Sequence, residues 1–462
     1  MTMPLIGTGS RFDVAANSSP PPCGEGSGVG VGGCGTSVPH GTTPHPIPPP
    51  QGGRESTRLP LNLAPITAPL RILMTADAVG GVWAYATELA CSLCKAGNEV
   101  MLAVIGPRPR PDQLRPLRGV HGLQLKITDL LLEWMDPAGT DIRRAGQMLR
   151  SIADEFQPDL VHLNSFREGN LNWSAPVLIV AHSCVQTWWL ACRSGALGGA
   201  RWSTYCDRVA AGLSRADAWV APSAAFRDLI SATYRPPVQG SVIRNGLTIA
   251  ARATAKQPYI LGAGRLWDEA KNLAAVAAIA SELPWPVRVA GEMCGPDGGD
   301  VKAAYGQIKS LGALPRPALL DEMRDASIFV SPALYEPFGL TVLEAAASGC
   351  ALVLSDLPSF RELWDDAALF VGPRDRNALR TALQSVCRDE AWRARLQAKA
   401  RMRARRYSQR AMVGAYLRLY REMTASPTRV PPPYPPPFAH PSLPRLRWRV
   451  REGAGAALEL AV

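Results

Sequence analysis

The sequence predicts an α/β protein built from two successive doubly wound units. Three observations carry this expectation. Short apolar runs alternate with amphipathic stretches on both sides of a breaker-rich region between Arg235 and Gln257. Each series opens on a buried strand followed by a glycine-containing turn. The 462 residues, 47% of them hydrophobic, exceed one comfortable core and suffice for two.

The first series begins at Arg71. Ile72–Ala76 reads as a buried strand, Asp77–Gly81 as a tight turn with two glycines, Val82–Ala96 as a helix closed by Gly97, and Glu99–Ile105 as the next strand. In such a β-α-β unit the first turn presents backbone amides to a ligand, although a tight turn alone would also require glycine. Further strands are expected at Leu160–Leu163, Val177–Ala181, Ala218–Ala221 and Ser241–Ile243, with an amphipathic helix over Arg201–Arg215. His182 follows a strand directly, at the carboxyl end where open α/β sheets bind ligands; a lone histidine is otherwise most often structural. Trp188 and Trp189 offer a sugar-stacking surface or plain core packing.

The second series has strands at Tyr259–Leu261, Val287–Ala290, Ala326–Ser331, Ala351–Leu354 and Ala368–Val371, then sequence that is helical throughout from Asp375 to Met423. Gly264-Arg265 ends its first strand and Lys271 lies six residues on, at an expected helix start, so both cations can reach one pocket, although an exposed Arg and a helix-start Lys are otherwise unremarkable. The most informative stretch is Ser331–Gly349. It reads as a strand end, a loop carrying Glu336, and a helix beginning near Phe338 or Gly339 with Glu344 inside it. A helix starting after a glycine offers unpaired N–H groups and a positive dipole end, which suits phosphate. The bland alternative makes Glu336 a loop charge and Glu344 a solvated helix face.

The flanks differ in composition. Residues 1–65 are rich in Pro, Gly, Ser and Thr and read as a disordered tail or as translation from an upstream start; 424–462 read as a disordered Pro/Arg-rich tail. Domains are expected at 66–245 and 246–423. Ten cysteines without framework spacing, and the lack of an apolar leader or a membrane-length apolar run, point to a reducing, cytoplasmic setting. Cys91 and Cys94 form a C-x-x-C pair on the apolar side of a helix and read as core, and no metal-ligand spacing is present. The net charge of +11 concentrates over Arg388–Arg421, a face compatible with peripheral contact to an anionic membrane, though charge runs are usually solvated. No nucleic-acid motif accompanies it.

From Arg71 to Met423 the chain resembles retaining, nucleotide-sugar-dependent glycosyltransferases of the GT-B fold, family 4. The motifs that carry the resemblance are Glu336-Pro-Phe-Gly-Leu-Thr-Val-Leu-Glu344 with its Ala-Ala-Ala-Ser-Gly349 continuation, and Gly264-Arg265-Leu266 followed by Lys271-Asn272. Gly80-Gly81-Val82, His182, Ala221-Pro222-Ser223 and Asn245-Gly246 agree more weakly, in the family's order. Arg244, where the family usually has proline, and Leu247-Thr248 depart from it.

The resemblance implies two Rossmann-like α/β/α domains facing across a crevice, the first on the acceptor side and the second holding the donor, with the final helix, about 409–423, packing back on the first. It implies that Arg265 and Lys271 bind the donor diphosphate, that Glu344 holds the ribose hydroxyls and Glu336 the transferred sugar, and that amides around Phe338, Gly339 and Leu340 cradle sugar and phosphate. Gly80 and Gly81 would approach the diphosphate from the first domain and His182 would contact the sugar. No metal or cofactor is implied. The partners would be a nucleotide-sugar donor and a glycan, lipid-linked or small-molecule acceptor. The rival readings are a sugar-nucleotide epimerase on the same fold, for which no acid/base cluster is visible, and a basic protein binding membrane or nucleic acid.

Overall fold

The computed structural model describes residues 68–193, 197–248, 255–295, 301–306 and 308–425, so the readings of both tails fall outside the described residues, except that the last helix continues to Ala425. Thirteen strands are described. β1 Arg71–Asp77, β2 Glu99–Ile105, β3 Leu123–Ile127, β4 Leu160–Leu163, β5 Val177–Val180, β6 Ala218–Ala221 and β7 Ser241–Val242 form one parallel sheet, in the order β3-β2-β1-β4-β5-β6-β7. β8 Gln257–Ala263, β9 Val287–Ala290, β10 Lys309–Ser310, β11 Ala326–Ser331, β12 Ala351–Ser355 and β13 Leu369–Val371 form a second parallel sheet, in the order β10-β9-β8-β11-β12-β13.

Both sheets are covered on both faces, which is why their strands read as continuous apolar runs. Side chains alternate between two cores: Leu73, Val161, Ile179 and Trp219 enter one, while Ile72, Met74, Leu160, Leu178 and Val220 enter the other. The second sheet divides likewise, with Leu261, Phe329 and Leu352 opposite Ile260, Ile328 and Val353. The fold is that of two Rossmann-like α/β domains.

Several elements differ from expectation. β3 and β10 were not foreseen: β3 is an edge strand with only its alternate residues apolar, and β10 has two residues. The region after Asp375 is helical as expected, in three helices, Arg376–Arg388, Glu390–Ala404 and Gln409–Ala425, and Asp375 and Asp389 each cap the following helix with a side-chain oxygen. Lys271 closes a short 3-10 turn, Glu269–Lys271, instead of opening a helix, and the helix after Glu336 starts at Leu340, behind Gly339 with φ 85°.

The chain crosses between the sheets twice, and the crossings lie side by side. Leu247 N donates to Tyr407 O at 3.1 Å and Gln409 N to Leu247 O at 3.0 Å. Gly246 permits this, since a Cβ there would sit 2.3 Å from Ser408 O. The helix Gln409–Ala425 then lays Met412, Tyr416 and Tyr420 into the first domain's core, where Tyr420 Oη lies 2.6 Å from His162 Nδ1. Arg244, at the family's proline position, pairs with Glu362 at 2.9 Å, and the same carboxylate accepts the N–H groups of Ala224 and Ala225 at the start of the helix Ala224–Tyr234.

No helix among the described residues is long and apolar enough to cross a membrane. The cysteines within them are free thiols; Cys94 is buried and Cys91 half-buried, on the helix Gly81–Lys95.

Candidate active site

In each sheet the strand order reverses between its first and fourth strands, β1/β4 and β8/β11. A crevice opens at such a reversal, because the helices on either side of it run to opposite faces. The residues singled out in the sequence lie at these two places. Gly80-Gly81 follows β1, and His182 lies beyond β5 on the same edge; Arg265 and Lys271 follow β8, and Glu336, Phe338, Gly339 and Leu340 follow β11.

The two crevices meet. Gly80 has φ 76° and ψ −144°, a conformation reserved for glycine, and a Cβ on it would lie 2.7 Å from Arg265 Nη1. A Cβ on Gly81 would lie 3.3 Å from Leu340 Cδ1. Further along, the amide of Cys184 donates to Tyr335 Oη at 3.1 Å, Thr187 Oγ1 lies 2.9 Å from the same hydroxyl, and Ser223 Oγ donates to Pro337 O at 2.7 Å. Trp188 belongs to this seam: its indole N–H donates to Asp268 at 3.0 Å, so it ties the domains together.

On the second-domain wall the charges are paired. Lys271 Nζ lies 2.6 Å from Glu336 Oε2, while Glu336 Oε1 accepts the N–H of Gly339 at 3.0 Å. Asn272, at φ 49°, holds the lysine's turn against β11 through Pro332 O at 2.9 Å. Arg265 bonds Asp268 at 2.6 Å. Burial pushes the Asp268 carboxyl up, but Arg265 and Lys271 beside it hold it below its ordinary value. Beyond Glu336, the helix Leu340–Ala347 begins with its first N–H groups lacking intrahelical partners.

Glu344 is buried on that helix, against the reading of a solvated face. Burial raises its carboxyl, opposed by Arg316, whose Nε donates to Glu344 at 2.8 Å and whose Nη1 bonds Glu88 on the first-domain helix.

His182 is bonded within its own domain. Its Nε2 lies 2.7 Å from Asn164 Oδ1, and Asn164 Nδ2 donates to Thr75 O at 2.6 Å. The amide is therefore oriented with its oxygen toward the ring, so Nε2 carries the proton and Nδ1 is the bare acceptor. The ring packs edge-on against Tyr85 at 4.5 Å, and burial, with His162 nearby, pushes the imidazole down to about 3. His182 is neutral at ordinary pH.

Asp77, Asp268, Glu88, Arg316 and Asn164 were not singled out from sequence. Asp77 ends β1, accepts the Val79 N–H at 2.8 Å and is pushed up to about 6 by burial, with Val79 and Arg265 acting the other way. Its place just before the double glycine was a usable signal, as was the three-residue spacing Arg265, Asp268, Lys271. Glu88 and Arg316 carried none, being brought together from 228 positions apart.

Two Rossmann-like domains with facing switch points, Arg265 and Lys271 lying between them, form the GT-B architecture. The chain belongs to glycosyltransferase family 4: residues 79–250 match the model of Glycosyltransferase Family 4 and residues 255–403 that of Glycosyl transferases group 1. It is 26% identical over 366 residues to a glycogen synthase of Mycobacterium tuberculosis, covering 70% of this chain and 87% of that one. Over 88 residues it is 36% identical to O-antigen chain mannosyltransferase B of Escherichia coli, covering 19% of this chain and 23% of that one. Among solved structures, sucrose-phosphate synthase from Thermosynechococcus elongatus superposes with a TM-score of 0.65 at 19% identity, over 77% of this chain and 99% of that one. Anabaena HepE in complex with UDP-glucose superposes with a TM-score of 0.61 at 15% identity, over 76% of this chain and all of that one. The epimerase and basic-binding alternatives find no support in these similarities.

Proposed function

We propose that this glycosyltransferase moves a hexosyl group from a nucleoside-diphosphate sugar to an acceptor hydroxyl with retention of anomeric configuration and without a divalent metal. The observation that carries the reading is Arg265 set against Gly80 of the first-domain double glycine, at φ 76°, with Lys271 on the same second-domain loop.

Cleaving the sugar–phosphate bond develops negative charge on the leaving diphosphate. Arg265, oriented by Asp268, and Lys271 supply fixed positive charge there, and the helix start at Leu340 adds N–H groups at low reorganisation cost. A guanidinium fork and a point ammonium thus take the part that a metal ion plays elsewhere. Donor binding draws Lys271 from Glu336 toward phosphate, freeing Glu336 to accept sugar hydroxyls. Glu344, steadied by Arg316, accepts the ribose hydroxyls. Neutral His182 offers Nδ1 to a sugar hydroxyl. No second carboxylate is assigned as a nucleophile, so attack from the face of departure accounts for retention. The hexosyl group accords with the names of the relatives, a glycogen synthase and a mannosyltransferase.

The test is a screen of nucleotide sugars by thermal shift and by turnover with chelator. A bound donor at a hundred times its dissociation constant stabilises the fold by about 2.7 kcal/mol. Turnover abolished by chelator and restored by Mg²⁺ would overturn the metal-free part. The outer face of the helix Glu390–Ala404 exposes Arg395, Lys399, Arg401 and Met402 and fits peripheral contact with an anionic membrane.

A further inference from the structure

Beside the donor crevice, a cavity of about 530 Å³ opens at the carboxyl ends of β2 and β3. Its apolar wall is Ile127, Leu130, Leu131, Met135 and Met148, and its charged lining is Arg108 and Asp129. Leu131 and Met135 remain 38% and 37% exposed, so two large apolar side chains face the same open space.

The loop that carries them is held from beneath by buried charge. Arg167 donates to Leu131 O at 2.6 Å and to Asp136 Oδ2 at 3.1 Å, and Asp141 Oδ2 accepts the Leu131 N–H at 2.8 Å. Asp136 also accepts the N–H groups of Thr140 and Asp141, at 2.8 and 3.0 Å. Burying so many polar groups to shape one loop yields a pre-formed wall, as ligand pockets usually have.

The cavity adjoins the crevice. Asp77 pairs with Ile105 and Val104 with Ile127, so the ends of β2 and β3 lie one and two strand spacings, roughly 5 and 10 Å, from the end of β1. The segment lining the cavity at Gly106–Arg108 runs on to Gln113, whose Nε2 donates to Ala78 O at 3.1 Å in the turn before the double glycine. Arg110 faces Glu292 of the second domain at 3.7 Å. One segment of chain therefore runs from the cavity to the edge of the crevice.

We propose that this cavity is the acceptor's aglycone subsite: a small acceptor seats a compact apolar group among Leu131, Met135 and Met148 while its reacting hydroxyl reaches the crevice beside Gly81 and His182. The inference rests on the transferase reading and names the acceptor class. The hollow is open to solvent on one side and small in volume, which suits a ring or short chain better than a long lipid.

The test compares p-nitrophenyl and methyl α-glucoside, which share the sugar and differ in the aglycone. Their dissociation constants are measured by calorimetry on the full chain, with and without UDP, for the wild type, Leu131→Asp and Met135→Asp. Both substitutions are at exposed positions, and a melting curve checks that each variant folds. The expected result is at least tenfold tighter binding of the aryl glucoside by the wild type, falling to within twofold in either variant, with the UDP-induced melting shift unchanged. A wild-type preference under tenfold, or one that survives both substitutions, overturns the proposal. Failure of every nucleotide probe to shift the melting temperature counts against the transferase reading, whereas failure of the aryl preference counts against the cavity alone.

Discussion

Lys271 and Glu336 form an ion pair in a place where both are assigned to substrate, so structural and chemical roles must be separated. Their side chains are 23% and 13% exposed, between the surface and buried limits. Exposed pairs contribute about 0–1 kcal/mol, and breaking a fully buried pair costs about 3–5 kcal/mol. Lys271→Met is therefore expected to destabilise the protein by roughly 2 kcal/mol, read as a melting shift of roughly 4–8 °C. Glu336→Gln should cost less, because its amide oxygen still accepts the Gly339 N–H. In the double variant the stability losses should fall short of additive, by about 1 kcal/mol, because the second change removes the charge that the first left unpaired. Activity should behave otherwise. Removing one fixed donor to the developing charge costs about 10²–10³-fold in kcat, and restoring stability returns none of it. The assay is nucleoside-diphosphate release under saturating donor, beside chemical denaturation of all four proteins. Wild-type turnover by Lys271→Met, or turnover regained in the double variant, would refute the assignment and leave the lysine as a partner for Glu336 alone.

Gly80→Ala places a methyl group against Arg265 in a glycine-only conformation; the backbone strain is about 1–3 kcal/mol, and kcat should fall at least tenfold while Gly97→Ala, where a Cβ meets nothing, spares turnover. For His182 the folded-state value, about 3, lies below that of an unfolded histidine, so its stabilising contribution is complete above about pH 6.5 and is lost as pH falls toward 3. Compared with His182→Gln, the wild type should lose its stability advantage by up to about 1.4 kcal/mol per pH unit over that window. A difference that stays constant from pH 7 to pH 4.5, measured by denaturant titration, would contradict the depressed titration of the ring. Finally, the chain should sediment with anionic liposomes at low salt and less at physiological salt, and Arg395→Glu with Lys399→Glu should weaken this; no sedimentation at low salt sinks the membrane contact.

Most elements were legible because buried parallel strands are continuous apolar runs and the helices between them repeat at 3.6 residues. β3 escaped because Gln124 and Lys126 interrupt its apolar residues, and it becomes a strand by pairing with β2. The helix after Glu336 starts one or two residues later than the sequence pattern predicts, since Gly339, at φ 85°, stands outside it as the N-cap. Trp188 shows the limit of composition: an aromatic after a strand end suits stacking or packing equally, and its bond to Asp268 identifies it as a brace between domains.

The types and order of most elements and the double-glycine turn follow from local chemistry, because turn geometry and periodicity depend on neighbours a few positions away; the two cations and the two carboxylates stand out only through the family resemblance of their motifs. The partners of those groups depend on how the domains dock. Glu344 reads as an ordinary helix carboxylate until Arg316 is set between it and Glu88, and His182 as an ordinary histidine until Asn164 sets its tautomer. Such pairings link residues far apart in the chain, 151 positions for Cys184 and Tyr335 and 258 for His162 and Tyr420, and no short-range pattern encodes them.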